Sequence, residues 1–306
     1  MRCDVCANES VVNLRYFGRE FCSDCFTRYF EKRVRKTVRL NRMLPAKGKI
    51  AVAVSGGKDS MTVLKLLHGL SLNNPKIELM AILVDEGIAG KDEVFKTIIG
   101  FCDELGLDHH ISFFASEYGC TLDEMLAGRM DESVRACTYC GVLRRKLLNK
   151  MALDLGVQAI ATGHNMDDEV QSSLMNYVKG DFDRMVRLGP VSGVVGEGKF
   201  VPRIKPLRDT PEDEVLLYAR LHDVPVASFE CPNSEGALRK TYKRLIDDLD
   251  LAHPGSKFQL LAATDKLIGL LKPGYLGKTM GYCTRCGEPS SSATCMACNL
   301  LASIKS

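Results

Sequence analysis

The run Lys49-Ile-Ala-Val-Ala-Val54 passes directly into Ser55-Gly-Gly-Lys-Asp-Ser60 and then into a helical stretch from about Ser60 to Gly69. An unbroken apolar run of this length reads as a strand buried on both faces, as in a parallel sheet. The pattern repeats along the chain. Leu79-Met-Ala-Ile-Leu-Val84 predicts a second strand, followed by a helix over roughly Asp92 to Leu105. His110-Ile-Ser-Phe-Phe114 suits a third strand. A helix from about Gly141 to Leu155 leads to a fourth over Val157 to Thr162. Strands alternating with helices of this length predict an α/β fold with a doubly wound parallel sheet. A further helix fits Pro211 to His222, with Pro in its first turn and Glu212, Asp213 and Glu214 matching the helix dipole. The Gly- and Val-rich segment from Leu188 to Lys199 is assigned no role.

Thirteen cysteines in 306 residues are the next constraint. No apolar run is long enough to cross a bilayer. Cys3 and Cys6 stand where a secretory signal would place basic and apolar residues, so a cytoplasmic protein is expected. In a reducing compartment clustered cysteines are metal ligands more often than disulfides. Cys3, Cys6, Cys22 and Cys25 have the C-x2-C-x15-C-x2-C spacing of a zinc site, and Cys283, Cys286, Cys295 and Cys298 form a tighter set. Closed four-cysteine sites fold small segments that lack a core of their own. Two structural zinc ions are therefore expected, although spacing alone would also let the N- and C-terminal pairs mix. Cys102 and Cys120 are expected to be unliganded. The expected division is a zinc ribbon at 1–27, a basic linker helix at 28–47, a catalytic domain at 48–230, a helical region at 231–280 and a second ribbon at 281–306.

Two glycines between a strand and a helix let backbone amides approach an anion, and Ser55, Ser60 and the helix dipole add to the attraction. The loop is not a Walker A motif, because Lys58 is followed by Asp and the upstream glycine is missing. Gly277-Lys-Thr279 is a near miss of the same kind and is set aside. The word SGGKDS after an apolar strand resembles the PP-loop ATP pyrophosphatases, which cleave ATP to AMP and pyrophosphate and adenylate a carbonyl oxygen. The resemblance spans about 48–230. It implies ATP contacts at Ala53, Val54, Ser55, Gly56, Gly57, Lys58, Asp59 and Ser60, with Val84 near the adenine. Thr162-Gly-His-Asn-Met-Asp-Asp-Glu169, again at a strand end, resembles a second family element. It implies a backbone contact at Gly163 and a catalytic or Mg-organising carboxylate at Asp168. Helix-start charge is the plainer reading of Asp167 and Asp168.

Cys137 and Cys140 open a helix one turn apart, and Cys231 lies far along the chain in Phe-Glu-Cys-Pro-Asn. Three thiolates could hold a 4Fe–4S cluster with one iron left open, could run persulfide and disulfide chemistry, or could be inert. The word Cys-Thr-Tyr-Cys-Gly-Val-Leu-Arg-Arg, together with ECPN and the terminal CxxC pairs, makes the whole chain similar to the archaeal and eukaryotic cytoplasmic tRNA 2-thiolation proteins. These are relatives of the bacterial tRNA-5-methyluridine 2-sulfurtransferases. The resemblance implies cluster ligation by Cys137, Cys140 and Cys231. It also implies a nucleotide contact at Arg144, where the bacterial branch has lysine; a guanidinium cannot trade protons there at neutral pH.

Net charge is only +3, yet basic residues cluster. Arg33, Arg35, Lys36, Arg39 and Arg42 follow the first ribbon. Arg145 adjoins Arg144, and Arg239, Lys240, Lys243 and Arg244 follow Cys231. Such patches suit an RNA backbone, though a solvated amphipathic face would look the same. The expectation is ATP-dependent adenylation of a uridine C2 oxygen, at the wobble position by resemblance, followed by sulfur transfer. The family implies a homodimer and leaves the sulfur donor open between a ubiquitin-like thiocarboxylate protein and sulfide. Cytidine thiolation, amide ligation and a non-catalytic zinc-ribbon RNA binder are the rivals.

Overall fold

A computed structural model describes residues 1–131, 133–192, 199–234, 238–275 and 281–304. The word at Gly277–Thr279 and residues 193–198 of the Gly/Val-rich segment fall outside the described residues.

The chain begins with a hairpin, β1 (Val12–Leu14) antiparallel to β2 (Arg19–Phe21), that feeds α1 (Ser23–Leu40). The basic helix thus starts inside the first four-cysteine segment, with Cys25 in its first turn, and stops short of residue 47. The central fold follows as β3 (Gly48–Ala53), α2 (Lys58–Ser71), β4 (Ile77–Asp85), α3 (Asp92–Leu105) and β5 (Asp108–Phe113). Next come the short α4 (Phe114–Tyr118) and α5 (Leu122–Gly128), the long α6 (Ala136–Asp154) and β6 (Val157–Ala161). After these lie α7 (Met166–Val178), α8 (Phe182–Met185), β7 (Val191–Ser192), β8 (Arg203–Ile204) and α9 (Glu212–Leu221). A 3-10 turn at Pro232–Ser234 precedes α10 (Leu238–Ala252) and α11 (Ser256–Tyr275). The chain closes with the hairpin β9 (Gly281–Tyr282) and β10 (Pro289–Ser290), then α12 (Met296–Ala302).

The main sheet runs β5-β4-β3-β6-β8-β7 and is parallel except for the edge pair β7·β8. These two edge strands have two residues each, too short for any periodicity to announce them. Alternate residues of β4 face opposite ways: Leu79, Ala81 and Leu83 join one core, Met80, Ile82 and Val84 the other. The first core is covered by α1, α2, α3 and α9, the second by α5, α6 and α12. Each fully buried Phe or Leu contributes roughly 1.5–3 kcal/mol. Phe30 stacks on Tyr218 with ring centres 4.4 Å apart, fixing α1 to α9.

The first strand of the sheet, β3, has β4 and β5 on one side and β6 and β8 on the other. Chain direction across the sheet therefore reverses between β3 and β6, and open sheets take their ligands at the carboxyl ends of such strands. The loop Ser55–Gly57 and the turn Thr162–Asn165 both begin there.

Candidate active site

The turn after β3 is built to present backbone. Gly56 has φ +81°, and a Cβ on it would lie 2.5 Å from Val94 Cγ1. Ser60 ties the turn: its Oγ accepts from Ser55 N at 3.1 Å and donates to Gly57 O at 3.0 Å. Gly57 caps α2 with no side-chain acceptor for the first-turn amides, which leaves them to an anion at the positive end of the helix. The turn after β6 packs directly on this start. A Cβ at Gly163 would stand 2.6 Å from Ser60 N, so only glycine fits.

Asn165 and Asp168 cap α7 reciprocally, at 3.1 and 3.3 Å. Asn165 Nδ2 also donates to Asp59 Oδ1 at 3.0 Å, and Asp168 Oδ1 accepts from Arg239 at 3.2 Å. Asp168 is thus the helix-start charge that the plainer reading expects, and its side chain is shared between the cap and Arg239. Burial pushes the Asp59 and Asp168 carboxyls up, with Lys58 and Arg239 respectively pulling them back.

These elements enclose a cleft of about 360 Å³. Ala53, Val54, Ser55, Gly57, Asp59, Ser60, Val84, Arg144, Gly163 and Asp168 all line it. Two of the expected ATP contacts do not. Gly56 lies behind the turn, its carbonyl accepting from Ala227 N at 3.0 Å. Lys58 reaches toward α9, where Glu212 at 2.7 Å joins Asp59 at 2.9 Å in balancing its charge. A larger cleft of about 440 Å³, among Glu31, Lys65 and His222, receives neither the loop nor the cysteine helix.

The opposite wall is α6, whose first turn carries Cys137 and Cys140. Arg144 joins the two regions. It lines the cleft, its Nη2 lies 2.9 Å from Cys140 Sγ, and its Nε stands 2.5 Å from Glu86 Oε1, off-line for a hydrogen bond. Burial raises the Cys140 thiol, and Arg144 opposes that shift. Cys137 is exposed, with Sγ 3.8 Å from the carbonyl of Asn233, two residues past Cys231. Cys231 and Cys140 pack against the same core. The three sulfurs are not gathered within 4.8 Å of one another, as one metal ion would require. Cys137 and Cys140 on α6, and Cys231 just before the 3-10 turn that contacts α6, are free thiols on two adjoining segments.

A PP-loop domain family matches residues 27–234. The tRNA 2-thiolation protein NcsA of Haloferax volcanii is 35% identical over 100% of this chain and 99% of its own length. A probable sulfurtransferase of Methanocaldococcus jannaschii is 36% identical over 98% of this chain and 87% of its own. The U34-tRNA thiolase NcsA from Methanococcus maripaludis, solved with its [4Fe-4S] cluster, superposes with a TM-score of 0.84 at 33% identity, covering 98% and 95% of the two chains.

The chain belongs to the tRNA 2-thiolation family of PP-loop proteins.

Within this family frame, the terminal cysteines separate cleanly. Cys3, Cys6, Cys22 and Cys25 lie within 4.8 Å of one another, as do Cys283, Cys286, Cys295 and Cys298. The pairs do not mix between termini. All are free thiols, with Cys6 Sγ 3.4 Å from Cys22 Sγ and Cys286 Sγ 3.7 Å from Cys295 Sγ. Amides donate to sulfur at Cys3 and Cys283, and the Cys295 amide is the main cause that draws the Cys283 thiol down to about 6. Sulfur-only donors packed this tightly suit one tetrahedral ion per quartet. Cys102 is buried in the first core and Cys120 half-buried; neither belongs to a quartet.

The basic patches divide. Arg33 is corrected: it points inward, paired to Glu214 at 3.0 Å and bonded to the hydroxyls of Tyr16 and Tyr29, so it is not a surface phosphate contact. It sits beside the buried stripe Phe26–Phe30–Val34 of α1, and its partner Glu214 is 181 residues away, invisible to a local reading. Arg35 pairs with Glu31, while Lys36, Arg39 and Arg42 are exposed. On α10, Arg239 and Lys243 are committed to Asp168 and Glu212, and Lys240 and Arg244 face solvent.

Sequence reasoning missed Glu86, Lys91, His164 and Arg203, all on the cleft wall. Glu86 follows β4 at its carboxyl end, a position that the open-sheet rule could have flagged. His164 sits inside the Gly163–Asp168 word. Its Nδ1 is 2.8 Å from Thr162 Oγ1, and burial, then Lys205, lower it to about 4. Arg203 lies on a two-residue strand and carried no signal.

Proposed function

We propose that this chain is an ATP-dependent tRNA sulfurtransferase that replaces the C2 oxygen of a uridine, at the wobble position, with sulfur. The observation that carries the reading is Arg144, which lines the nucleotide cleft while its guanidinium touches Cys140 Sγ at 2.9 Å. Sulfur chemistry and phosphate chemistry thus meet across one side chain.

The amides after β3 and the start of α2 hold the ATP phosphates, and Asp59 and Asp168 organise magnesium. The uridine, unstacked from its neighbours, places O2 in line with the α-phosphate. The O2–P bond forms as the bond to pyrophosphate breaks. Adenylation turns oxide into a good leaving group, and the protein's part is positioning and charge neutralisation. A sulfur nucleophile then bonds to C2 and AMP departs with the former carbonyl oxygen. Cys137, Cys140 and Cys231 would hold a 4Fe–4S cluster, which supplies one iron without a protein ligand as a binding place for sulfur. Arg144 holds Cys140 beside the cleft, and Glu86 fixes Arg144. The two terminal quartets take structural zinc and mark the ends of the division at 1–27, 28–47, 48–230, 231–280 and 281–306, with α1 running across its first boundary. The free thiols suit a cytoplasmic setting.

The test is ATP, tRNA and a sulfide donor with anaerobic protein, reading pyrophosphate and 2-thiouridine by mass spectrometry. Both products are expected in equal amounts, and Cys231→Ser should keep pyrophosphate release while losing thiouridine. Absence of tRNA-dependent pyrophosphate would leave a non-catalytic RNA binder.

A further inference from the structure

Four cations line the cleft: Lys91, Arg144, Arg145 and Arg203. Lys91 and Arg144 share Glu86, each at 2.5 Å. Arg145 and Arg203 have no carboxylate partner among the described residues. Instead they have each other: Arg203 Nη2 donates to the Arg145 carbonyl at 3.1 Å, while Arg203 Nε is buried with no partner. Arg145 lies back over the helix, where a Cβ at Gly141 would come 3.3 Å from its Nη1. Burial, then Arg144, lowers Arg145, and burial, then Arg145, draws Arg203 down to about 10. Arg184 and Arg239, also exposed, add to the same positive field.

Two guanidinium groups without a carboxylate beside them, Arg145 exposed and Arg203 half-buried, make this end of the cleft electropositive. The buried Arg203 Nε, a donor without an acceptor, is satisfied when a ligand brings an oxygen to it. We propose that Arg145 and Arg203 form a second phosphate site, separate from the loop after β3, that takes a backbone phosphodiester of the RNA beside the reacting uridine. The inference rests on the tRNA reading above. The ligand chemistry, a phosphate, could also come from the nucleotide. The nucleotide's phosphates, however, already have the amides of α2 at the β3 turn, whereas this pair stands on α6 and β8 beside Cys140. A flipped base stays tethered to flanking phosphates, and a guanidinium fork matches two phosphate oxygens. Arg239 and Arg184 would steer the backbone inward.

The experiment is tRNA binding by the full chain over a salt series, beside ATP binding without RNA, for wild type, R145Q, R203Q and R203K. Each Gln variant should weaken tRNA binding and make the log–log salt dependence shallower by about 0.7–0.9, one phosphate contact's worth. ATP binding should change far less than tRNA binding, and an unaltered circular-dichroism spectrum and melting temperature would show that the fold is intact. R203K keeps the charge but loses the fork, so it should bind tRNA more weakly with the wild-type salt slope. A fall in ATP affinity with an unaltered RNA slope would assign the pair to the nucleotide and overturn the proposal, and unchanged binding of both ligands would remove the site. Failure of the wild-type chain to bind tRNA would overturn the tRNA reading itself, a result visible before any variant is compared.

Discussion

Arg33 shows how one side chain can carry stability where its charge suggests recognition. Its guanidinium satisfies Glu214, Tyr16 and Tyr29 in a setting where Glu214 is buried. Arg33→Ala would leave that carboxylate without its counter-charge, at a cost of about 3–5 kcal/mol. Lys36→Ala, on the exposed face of the same helix, should stay within roughly 0.5 kcal/mol. Urea titrations of the two variants make the comparison; equal stabilities would mean that the pair contributes nothing. His164 carries a second residue-scale consequence. Its folded value of about 4 lies below the ordinary 6.5, so between these values the unfolded chain binds more protons. Stability should therefore fall as pH drops from 6.5 toward 4. His164→Asn should flatten that slope, and NMR titration of the ring should find it neutral at pH 6.

At the scale of elements, the strand–turn–helix runs were legible because a buried parallel strand writes itself as an apolar run, and β3, β4 and β6 fall within two residues of their expected limits. The cysteine quartets were legible because metal spacing is local. Arg33–Glu214, the Arg145–Arg203 contact and the edge pair β7·β8 were not, since each depends on segments brought together only by the sheet. The loop itself is held by such a long-range tie. Lys58 from the start of α2 and Lys243 from α10 both bind Glu212 at the start of α9, at 2.7 and 2.5 Å. Burial alone would raise the Glu212 carboxyl, but Lys243 and Lys58 outweigh it and hold the group at about 2, below its usual 4.5. A depressed carboxylate stabilises the fold above its unfolded value and loses that contribution as pH falls through the folded one. Stability in denaturant should hence decline between pH 4.5 and 2. Glu212→Gln should lower stability at pH 6 and remove part of that decline; an unchanged acid limb would show that the tie is not electrostatic.

On the scale of the whole molecule, the two ribbons brace different walls of the same fold. The N-terminal quartet places Cys3, Cys22 and Cys25 in the first core with Phe26 and Phe30, so a metal held there would support α1 against α9. The C-terminal quartet leads into α12, whose Ala297 and Leu300 pack in the second core with Tyr139 and Leu143 of α6. Three polar ties reinforce that contact: Tyr139 to the Ser303 hydroxyl at 2.8 Å, Lys146 to Glu288 at 2.8 Å, and Met130 N to Ser303 O at 3.0 Å. The helix that bears Cys137, Cys140, Arg144 and Arg145 is thus held from outside by a segment with little core of its own, which a metal in the quartet would help to fold. Cys295→Ser should loosen α6 and spare α2, while Cys22→Ser should loosen α1 and spare α6. Hydrogen exchange with mass readout separates them, because local opening follows local contacts. Faster exchange over 136–146 in Cys295→Ser, with wild-type protection over 58–71, is expected. In the same variant ATP should still bind at the β3 turn, while thiouridine formation should drop with the misplaced cysteine helix. Uniform exchange in both variants would mean that the ribbons stabilise the molecule as a single unit, with no special hold on α6.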